Sequence, residues 1–277
     1  MKDIHIVIVN YKMKDKISVC LDTLFAELAQ TDLQVQVTVV DNHSQDDSIA
    51  YLKNKFPQVH YIAQDENVGF GRSQNKGMLS CDATYYFALN PDTVFHPDQK
   101  TIERLYTFMK THPKIGMISP KLVYPDGSLQ YSCWRYPSFL QPFFQRTTLG
   151  KTSWGQKKVD YHHMKDFDHN KTIPVDAIMG SAMFVRKKAI DEVGMFDTRY
   201  FMYYEDIDWS LSMWEKGWPV YYVHDIVLTH IHGRGSASVP GVFRALFKNK
   251  LARIHVKSWV KFLWKWRGKK KYYTHPN

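Results

Sequence analysis

The chain is poor in cysteine and has no long hydrophobic run. Its three cysteines, Cys20, Cys81 and Cys133, match neither a disulfide framework nor a cysteine-based metal site, which is typical of a reducing compartment. No stretch approaches the roughly 18 apolar residues of a membrane span, and the first residues do not resemble a signal peptide. The sequence therefore predicts a cytoplasmic protein without a membrane-spanning segment.

Acidic residues are missing from the end of the chain. Residues 226–277 contain 12 Lys and Arg and neither Asp nor Glu, whereas residues 1–225 contain 25 basic and 27 acidic side chains. The formal net charge of +10 thus comes from the C-terminal part. A protein that coats nucleic acid more often carries basic patches on its folded core, so we expect no nucleic-acid partner.

The first half of the chain alternates strand and helix patterns. The whole chain, with 277 residues and 44% hydrophobic composition, can bury the core of one large or two small domains. Repeated βα units imply an α/β fold with a mostly parallel sheet and right-handed crossovers. The predicted strands are Ile4–Asn10, Val35–Asp41, Val59–Ala63 and one ending at Asn90, and the predicted helices are Lys16–Leu28, Asp46–Phe56 and Phe70–Ser80.

The second half has a mixed pattern around a long irregular stretch. Residues 134–174 are rich in aromatic residues, Lys, His and Pro, which predicts a functional loop in which His162 and His163 are solvated. The other predicted elements are helices at Pro97–His112, Lys187–Val193 and Tyr204–Lys216, and strands at Ile115–Pro120, Val175–Arg186, Pro219–Val223 and Ile226–His230.

Polar side chains stand where the predicted parallel strands end. Asn10 ends the first strand, Asp41 ends the second, and Asn90 and Asp92 follow the fourth. Ligands of open α/β sheets bind outside these carboxyl ends, where Asp41 could accept a hydrogen bond from a nucleotide base. Asp92 could hold a divalent cation against a substrate phosphate. Alternatively, Asp41 only forms a capping turn, and Asn-Pro-Asp is an ordinary turn.

A glycine-bearing turn at residues 67–75 leads into the third helix. Gly69 and Gly71 allow the backbone to approach a ligand, the helix N-terminus favours an anion, and Arg72 adds a positive charge. The spacing fits neither the dinucleotide-binding fingerprint nor the P-loop, so this motif is not specific by itself.

Three carboxylates, Glu205, Asp206 and Asp208, are concentrated at the start of one predicted helix. Acids are favoured there by the helix dipole alone. The surrounding aromatic residues indicate that this helix start is partly buried, and burial raises carboxyl pKa values toward those of a general base. We therefore expect these acids to be catalytic.

The last predicted strand ends in alternating histidines. His230 and His232 share one face of that strand and could bind a metal or a diphosphate, with Arg234 in the turn that follows. A purely structural role for these histidines is the alternative.

In this order, these segments resemble the family 2 glycosyltransferases of the GT-A fold, and within them the rhamnosyltransferases of bacterial cell-surface polysaccharide assembly. The resemblance covers roughly residues 3–238. It implies a catalytic domain at 1–238, divided into a nucleotide-sugar half (1–96) and an acceptor half (97–238). The segments that carry it are Ile8-Val9-Asn10-Tyr11, Val40-Asp41-Asn42, Asn67-Val68-Gly69-Phe70-Gly71, Leu89-Asn90-Pro91-Asp92, Gly180-Ser181-Ala182-Met183, Glu205-Asp206-Ile207-Asp208 and His230.

The resemblance implies an inverting enzyme that moves a sugar from a nucleotide diphosphate donor to an acceptor hydroxyl. Rhamnose from dTDP-rhamnose is the expected donor, and a lipid-linked or polysaccharide hydroxyl is the expected acceptor. Asp206 matches the general base, Asp92 the second acid of the family's Asp-x-Asp motif, and His230 an occasional further ligand of Mn²⁺ or Mg²⁺. The residues expected to bind the donor are Asn10, Asp41, Asn67, Gly69, Arg72, Asn90 and Arg234.

Two positions depart from the family pattern. Asn90 replaces the first acid of the metal motif, which weakens the expected metal site because an amide is a neutral ligand. Ser212 stands where an Arg is common, so Arg72 and Arg234 are the candidates to supply its charge.

Two other functions would use a similar fold. A nucleotidyltransferase should carry a Gly-rich, basic loop after the first strand, where this chain has Asn10-Tyr11-Lys12-Met13. A nucleotide-sugar-binding protein without transferase activity would keep the base pocket but would not need Asp206.

The basic tail at residues 239–277 combines an apolar stripe with surrounding lysines and arginines. Trp259, Phe262, Leu263, Trp264 and Trp266 lie among basic residues at helical spacing. Such a helix suits the anionic surface of a membrane, so we expect a protein bound peripherally to the inner face of the cell membrane. The alternative is that the part up to about Ile254 packs on the domain as its last helix.

Overall fold

The computed structural model describes residues 1–137, 141, 150, 152–231 and 250–269. Its strands are β1 (Lys2–Asn10), β2 (Val35–Asp41), β3 (His60–Ala63), β4 (Ala83–Leu89), β5 (Thr93–Val94), β6 (Met117–Val123), β7 (Leu129–Gln130), β8 (Cys133–Trp134), β9 (Ile173–Pro174), β10 (Ala177–Ile178), β11 (Ala182–Arg186) and β12 (Val220–His230). Its helices are α1 (Lys14–Leu28), α2 (Ser48–Lys55), α3 (Phe70–Met78), α4 (Thr101–Thr111), α5 (Ser153–His162), α6 (Lys187–Val193), α7 (Glu205–Glu215) and α8 (Lys250–Trp266), with a 3-10 turn at Pro97–Gln99.

Ten strands form one mixed sheet around a parallel block. β1 pairs in parallel with β2 and β4, and β2 pairs in parallel with β3. β11 is antiparallel to β4 and β6, and β12 runs parallel to β6. The order is β3-β2-β1-β4-β11-β6-β12-β5, with β7 and β9 attached at β6 and β12. The predicted α/β class, with its repeated βα units, is confirmed.

Both faces of the sheet are covered, which explains the nearly continuous apolar runs of the central strands. Ile4, Ile6 and Ile8 of β1 enter one core, whereas Val7 and Val9 enter the other. Helix α1 packs on the first face and α7 contributes to the second. Because side chains alternate along a strand, burial on both faces requires apolar residues at successive positions.

Two predicted strand boundaries are wrong, and one of them matters for function. The predicted strand Val175–Arg186 is divided into β10 and β11 by a turn at Met179–Ser181. The two short strands predicted at the end of the domain form the single strand β12, whose register with β6 shifts between Val223 and Val227. Hydrophobic periodicity does not distinguish a shift of this kind from a break.

The stretch predicted as a loop with solvated histidines contains helix α5 at its centre. His162, the last residue of that helix, is buried and stacks on Trp134 at 6.3 Å between ring centroids. Burial lowers the pKa of His162 to about 3 and that of His163 to about 4. The prediction that these histidines are solvated is therefore wrong for His162, which is buried, whereas His163 is half-buried.

Helix α8 packs on the rest of the fold beyond the limit expected near Ile254. Trp259, Phe262 and Trp266 are buried together with Tyr204 and Leu211. The expectation that these three rings are available to a membrane is wrong, because they form part of a core. Among the described residues, no helix combines the length and the apolar character that crossing a membrane requires.

Candidate active site

The carboxyl ends of the parallel strands bring the predicted polar residues to one edge of the sheet. Asn10 lies opposite Asp41 in the β1–β2 register, and Ile8 lies opposite Leu89, the residue before Asn90. The predicted cluster of Asn10, Asp41 and Asn90 at this edge therefore forms in the structure.

Asp41 is held in a compact network. Its Oδ1 accepts a hydrogen bond from Asn10 Nδ2 at 2.8 Å, and its Oδ2 accepts one from the Ser44 N–H at 3.0 Å. Asn10 and Asp41 are both buried. The turn considered in the sequence is present and fixes the carboxylate at the sheet edge, but it does not cap α2, whose N-cap residue Asp47 makes no side-chain cap hydrogen bond.

The glycine turn before α3 approaches protein backbone at close range. A Cβ placed on Gly69 would lie 1.9 Å from the carbonyl oxygen of Phe201, and the φ of Gly69 is +89°. The Phe70 N–H donates to the same oxygen at 3.0 Å. The first N–H of α3 is thus occupied by protein.

Neighbouring residues shape this turn. Asn67 Oδ1 accepts hydrogen bonds from Asn42 Nδ2 at 3.0 Å and from the Gly69 N–H at 3.1 Å. Arg72 is exposed, and its Nε donates to the Thr198 carbonyl at 3.0 Å. Arg234, the other candidate for the missing charge, lies outside the described residues.

Asp92 and His230 meet at the end of β4 and β12. Asp92 Oδ1 and His230 Nε2 are 3.1 Å apart, and Lys16 Nζ lies 3.4 Å from Asp92 Oδ2. Burial raises the pKa of Asp92, but hydrogen bonding and charge from His230 and Lys16 outweigh it and leave the pKa below its ordinary value. Asn90 joins the pair, with its Nδ2 at 3.5 Å from His230 Nε2.

His230 is oriented by a residue from another part of the chain. Its Nδ1 is 2.6 Å from Gln130 Oε1, so this nitrogen carries the proton that it donates. In a neutral imidazole, Nε2 then presents a lone pair to the Asp92 carboxylate. Two acceptors that face each other need a proton or a cation between them, and a second partner on the distal nitrogen is typical of metal-binding histidines.

Asp206 lies in the first turn of α7 and remains partly exposed. Its Oδ2 accepts a hydrogen bond from the Gly180 N–H at 2.9 Å. The next residue, Ser181, accepts from the Asn90 N–H at 2.9 Å through its carbonyl and from Asn90 Nδ2 at 3.2 Å through its hydroxyl. The turn between β10 and β11 therefore links the candidate base to the candidate metal side of the site.

Glu205, the neighbour of Asp206, is fully buried, whereas Asp206 is partly exposed. Burial raises the pKa of Glu205 to about 8, and the Asp206 carboxylate adds to that rise. Glu205 Oε2 has no hydrogen-bond partner among the described residues. Burial also raises the pKa of Asp206, against the hydrogen bonds from the Gly180 and Ile207 N–H groups. The pair therefore holds a proton at a pH where isolated acids are ionised.

Asp208 points away from these two acids. It is 1% exposed, and its Oδ1 accepts from Tyr200 Oη at 3.0 Å and from Trp266 Nε1 at 2.8 Å. Lys265 Nζ donates to Oδ2 at 2.6 Å. Because both oxygens are used inside the protein, the geometry does not support the predicted catalytic role of Asp208.

The sequence reading missed Lys16, Gln130 and the turn Gly180–Ser181 as parts of this site. The turn belongs to one of the segments that carry the family resemblance, but no role was expected for it. Lys16 and Gln130 carry no local signal, since they reach the site from α1 and β7. Among the described residues, no group of three or more His, Cys, Asp or Glu side chains has the arrangement of a complete metal site.

Curated relatives are glycosyltransferases. The chain is 28% identical over 230 residues to the N-acetylglucosaminyl-diphospho-decaprenol L-rhamnosyltransferase of Mycobacterium tuberculosis, covering 76% of this chain and 71% of that one. It is 27% identical to the rhamnosyltransferase WbbL of Escherichia coli, covering 94% of this chain and 92% of that one.

Solved structures share the fold at low sequence identity. The mannosyltransferase PcManGT of Pyrobaculum calidifontis, in complex with GDP-Man and Mn²⁺, superposes with a TM-score of 0.56 at 13% identity and covers 95% of this chain and 72% of that one. TarS of S. aureus also gives 0.56 at 13% identity, covering 83% of this chain and 60% of that one. The GT-A fold implied by the resemblance is confirmed. The profile named "Glycosyl transferase family 2" matches residues 5–194, more than half of the chain, so this protein belongs to that family.

Proposed function

We propose that the protein is an inverting glycosyltransferase in which Asp206 is the general base. The observation that carries this proposal is the partly exposed Asp206 carboxylate, fixed by the Gly180 N–H and linked through Ser181 to Asn90. A sugar hydroxyl is a weak acid and needs a carboxylate within reach when it attacks. Burial keeps the Asp206 pKa above its ordinary value, so this base is stronger than an exposed aspartate.

The donor is proposed to be dTDP-rhamnose, bound at the carboxyl ends of β1, β2 and β4. Asp41 would accept from the base, and Asn10 would hold Asp41 in place, as it does at 2.8 Å in the structure. Both curated relatives described above are rhamnosyltransferases, which favours this sugar. The other proposed donor contacts are Asn67, Gly69, Arg72, Asn90 and Arg234.

Mn²⁺ or Mg²⁺ is proposed to bind at Asp92 and His230. His230 Nε2 lies 3.1 Å from Asp92 Oδ1, and Gln130 fixes the imidazole from behind, so these residues fit a cation. A bound cation would neutralise charge on the departing diphosphate. Lys16 Nζ, 3.4 Å from Asp92, is a second positive charge on this side of the site.

The acceptor is proposed to be a sugar on a lipid diphosphate at the cytoplasmic membrane surface, in cell-surface polysaccharide synthesis. One relative is named for such a lipid, N-acetylglucosaminyl-diphospho-decaprenol. The outer face of α8 suits this location, because it presents basic side chains and Trp264, which is 67% exposed. The exposed basic residues on this helix face are Lys250, Arg253 and Lys257, and Arg267 follows directly after the helix.

Asp206→Asn tests the function. With dTDP-rhamnose and a synthetic N-acetylglucosaminyl diphospholipid, wild type should form a rhamnosylated product and release dTDP. The variant should lose about 10²–10⁴ in rate, because the amide cannot take the proton, while dTDP affinity stays within about twofold. Asp126→Asn, in an exposed turn, is the control.

The outcome separates the alternatives. Donor binding by wild type without turnover would indicate a nucleotide-sugar-binding protein, and pyrophosphate release from a nucleoside triphosphate would indicate a nucleotidyltransferase. If no product forms with dTDP-rhamnose, a thermal-shift screen of nucleotide sugars with and without Mn²⁺ identifies the donor, because a ligand of the folded state raises its melting temperature.

A further inference from the structure

The segment that precedes the candidate base has an unfavourable backbone. Tyr203 and Tyr204, directly before Glu205, have φ angles of 72° and 69°. A bulky residue in the left-handed region is strained and persists only where its surroundings hold it. Two such residues in succession therefore require support from neighbouring elements.

Helix α8 supplies much of that support. Ser258 Oγ donates to the Met202 carbonyl at 2.8 Å, and Lys261 Nζ donates to the Arg199 carbonyl at 2.6 Å. The Phe262 ring packs on Tyr204 with 5.1 Å between centroids. From the other side, the Phe201 carbonyl is held by the Phe70 N–H. The segment is thus clamped between the start of α3 and helix α8.

Asp208 connects α8 to the helix that carries the base. Its buried carboxylate accepts hydrogen bonds from Lys265 at 2.6 Å and from Trp266 at 2.8 Å. Lys265 also reaches Asp197 at 2.9 Å, so one ammonium joins both ends of the strained segment. Asp208 lies in the same first turn of α7 as Asp206. Its position therefore fixes where that turn, and with it Asp206, stands relative to Gly180.

We propose that Lys265 and Trp266 are positioning residues of the transferase. They act through Asp208 to hold the first turn of α7 in the orientation that keeps Asp206 at the Gly180 N–H. This inference rests on the proposed function, because Lys265 and Trp266 are inferred to position the proposed general base, Asp206. It makes helix α8 a part of the catalytic unit.

Two conservative variants of the full chain test the proposal. Trp266→Phe removes the indole N–H and keeps most of the packing, and Lys265→Met removes the ammonium and keeps its stem. Each should lower kcat about tenfold, since small misplacements of a catalytic group cost this much or more. KM for the donor and the affinity for dTDP should stay within about twofold. Lys265→Arg should retain most of the rate.

Matched controls come from two bonds that do not involve Asp206 or Asp208. Trp218 Nε1 donates to Glu192 Oε2 at 2.9 Å, and Lys187 Nζ donates to Asp191 at 2.9 Å. Trp218→Phe and Lys187→Met therefore remove the same kinds of bond without touching Asp208, and both should keep wild-type kcat. All rates are measured at a temperature where every variant is folded.

Hydrogen exchange gives a readout that does not depend on turnover. Amides of residues 199–208 should exchange faster in Trp266→Phe and Lys265→Met, whereas those of β1 and β4 should be unchanged. In an Asp208→Asn background, the two substitutions should add little further loss of kcat, because they act through the same carboxylate.

Three results would overturn the proposal. The first is normal kcat in both variants, and the second is unchanged exchange at residues 199–208. The third is a parallel loss of kcat and dTDP affinity that follows the melting temperature, which would indicate general destabilisation. If wild type transfers no sugar at all, the proposed function fails instead, and the exchange data still decide whether α8 holds this segment.

Discussion

The Phe201 carbonyl occupies the space where a side chain on Gly69 would begin. A Cβ there would lie 1.9 Å from that oxygen, and Gly69 has a φ of +89° that other residues rarely adopt. The absence of a side chain at residue 69 therefore lets the start of α3 support the segment before α7. In this structure the glycine turn contacts the backbone at Phe201.

Gly69→Ala should destabilise the protein by about 3 kcal/mol, from backbone strain together with displacement of Phe201. Gly127→Ala is the matched control, since Gly127 has a φ of +79° but nothing within 4 Å of its Cβ position. It should cost about 1 kcal/mol, from strain alone. Urea unfolding of both variants checks this. Equal losses would mean that the close approach to Phe201 is not important for stability.

The buried Glu205 predicts how stability depends on pH. Its pKa is raised from 4.5 to about 8 in the folded protein, so this group favours folding most at low pH and loses that contribution as pH rises from 4.5 through 8. Glu205→Gln removes this loss of stability, because glutamine does not ionise. At about 1.4 kcal/mol per pKa unit, the variant should be more stable than wild type by up to about 5 kcal/mol at pH 8.5, and similar to it at pH 4.5.

Urea unfolding at the two pH values measures the difference, and the exposed Glu66→Gln serves as the control that should show no such change. If Glu205→Gln gave the same shift in stability at both pH values, ionisation of Glu205 would not be its cause. The substitution would then act through packing.

The proposed metal site can be tested by removing a carboxylate from it and by adding one. Asp92→Ala should abolish the Mn²⁺-dependent part of dTDP affinity, because it removes the one carboxylate in the group with His230 and Asn90. Asn90→Asp should increase that part about tenfold by adding a charged ligand. Isothermal titration with and without Mn²⁺ decides both, with Asp126→Ala as the control. If dTDP affinity were the same with and without Mn²⁺ in every variant, Lys16 rather than a cation would balance the diphosphate charge.

The fold and the sheet edge could be predicted because their signals are local. Alternating βα patterns, and polar residues such as Asn10, Asp41 and Asp92 directly after apolar strands, indicate both the sheet and its ligand-binding edge. The local pattern also predicted that Glu205, Asp206 and Asp208 begin a partly buried helix, and the structure places all three in the first turn of α7.

The rest depends on contacts between distant residues. Asp208 and Asp206 look alike in sequence, and only the arrival of Trp266, 58 positions away, determines that Asp208 faces the interior. The apolar stripe of α8 likewise indicates that one face is buried, but it does not say whether a membrane or α7 covers it. Gln130, which orients His230, lies 100 positions earlier, so the sequence near His230 gives no sign of this contact.

The outer face of α8 gives the last prediction, on membrane attachment. With its aromatic core side packed on the domain, this helix presents Arg253, Lys257 and Trp264 outward, and the Arg267 guanidinium stacks on Trp264 at 3.9 Å. Each basic residue near an anionic surface contributes about 1 kcal/mol. Arg253→Glu, Lys257→Glu and Trp264→Ala together should therefore reduce co-sedimentation with phosphatidylglycerol vesicles at least tenfold at low salt. The same changes at Lys157, Lys158 and the exposed Trp154 on α5 are matched in charge and ring loss and should have little effect. Equal losses in the two triple variants would mean that net charge alone drives binding, and undiminished binding by the α8 variant would exclude this face as the membrane contact.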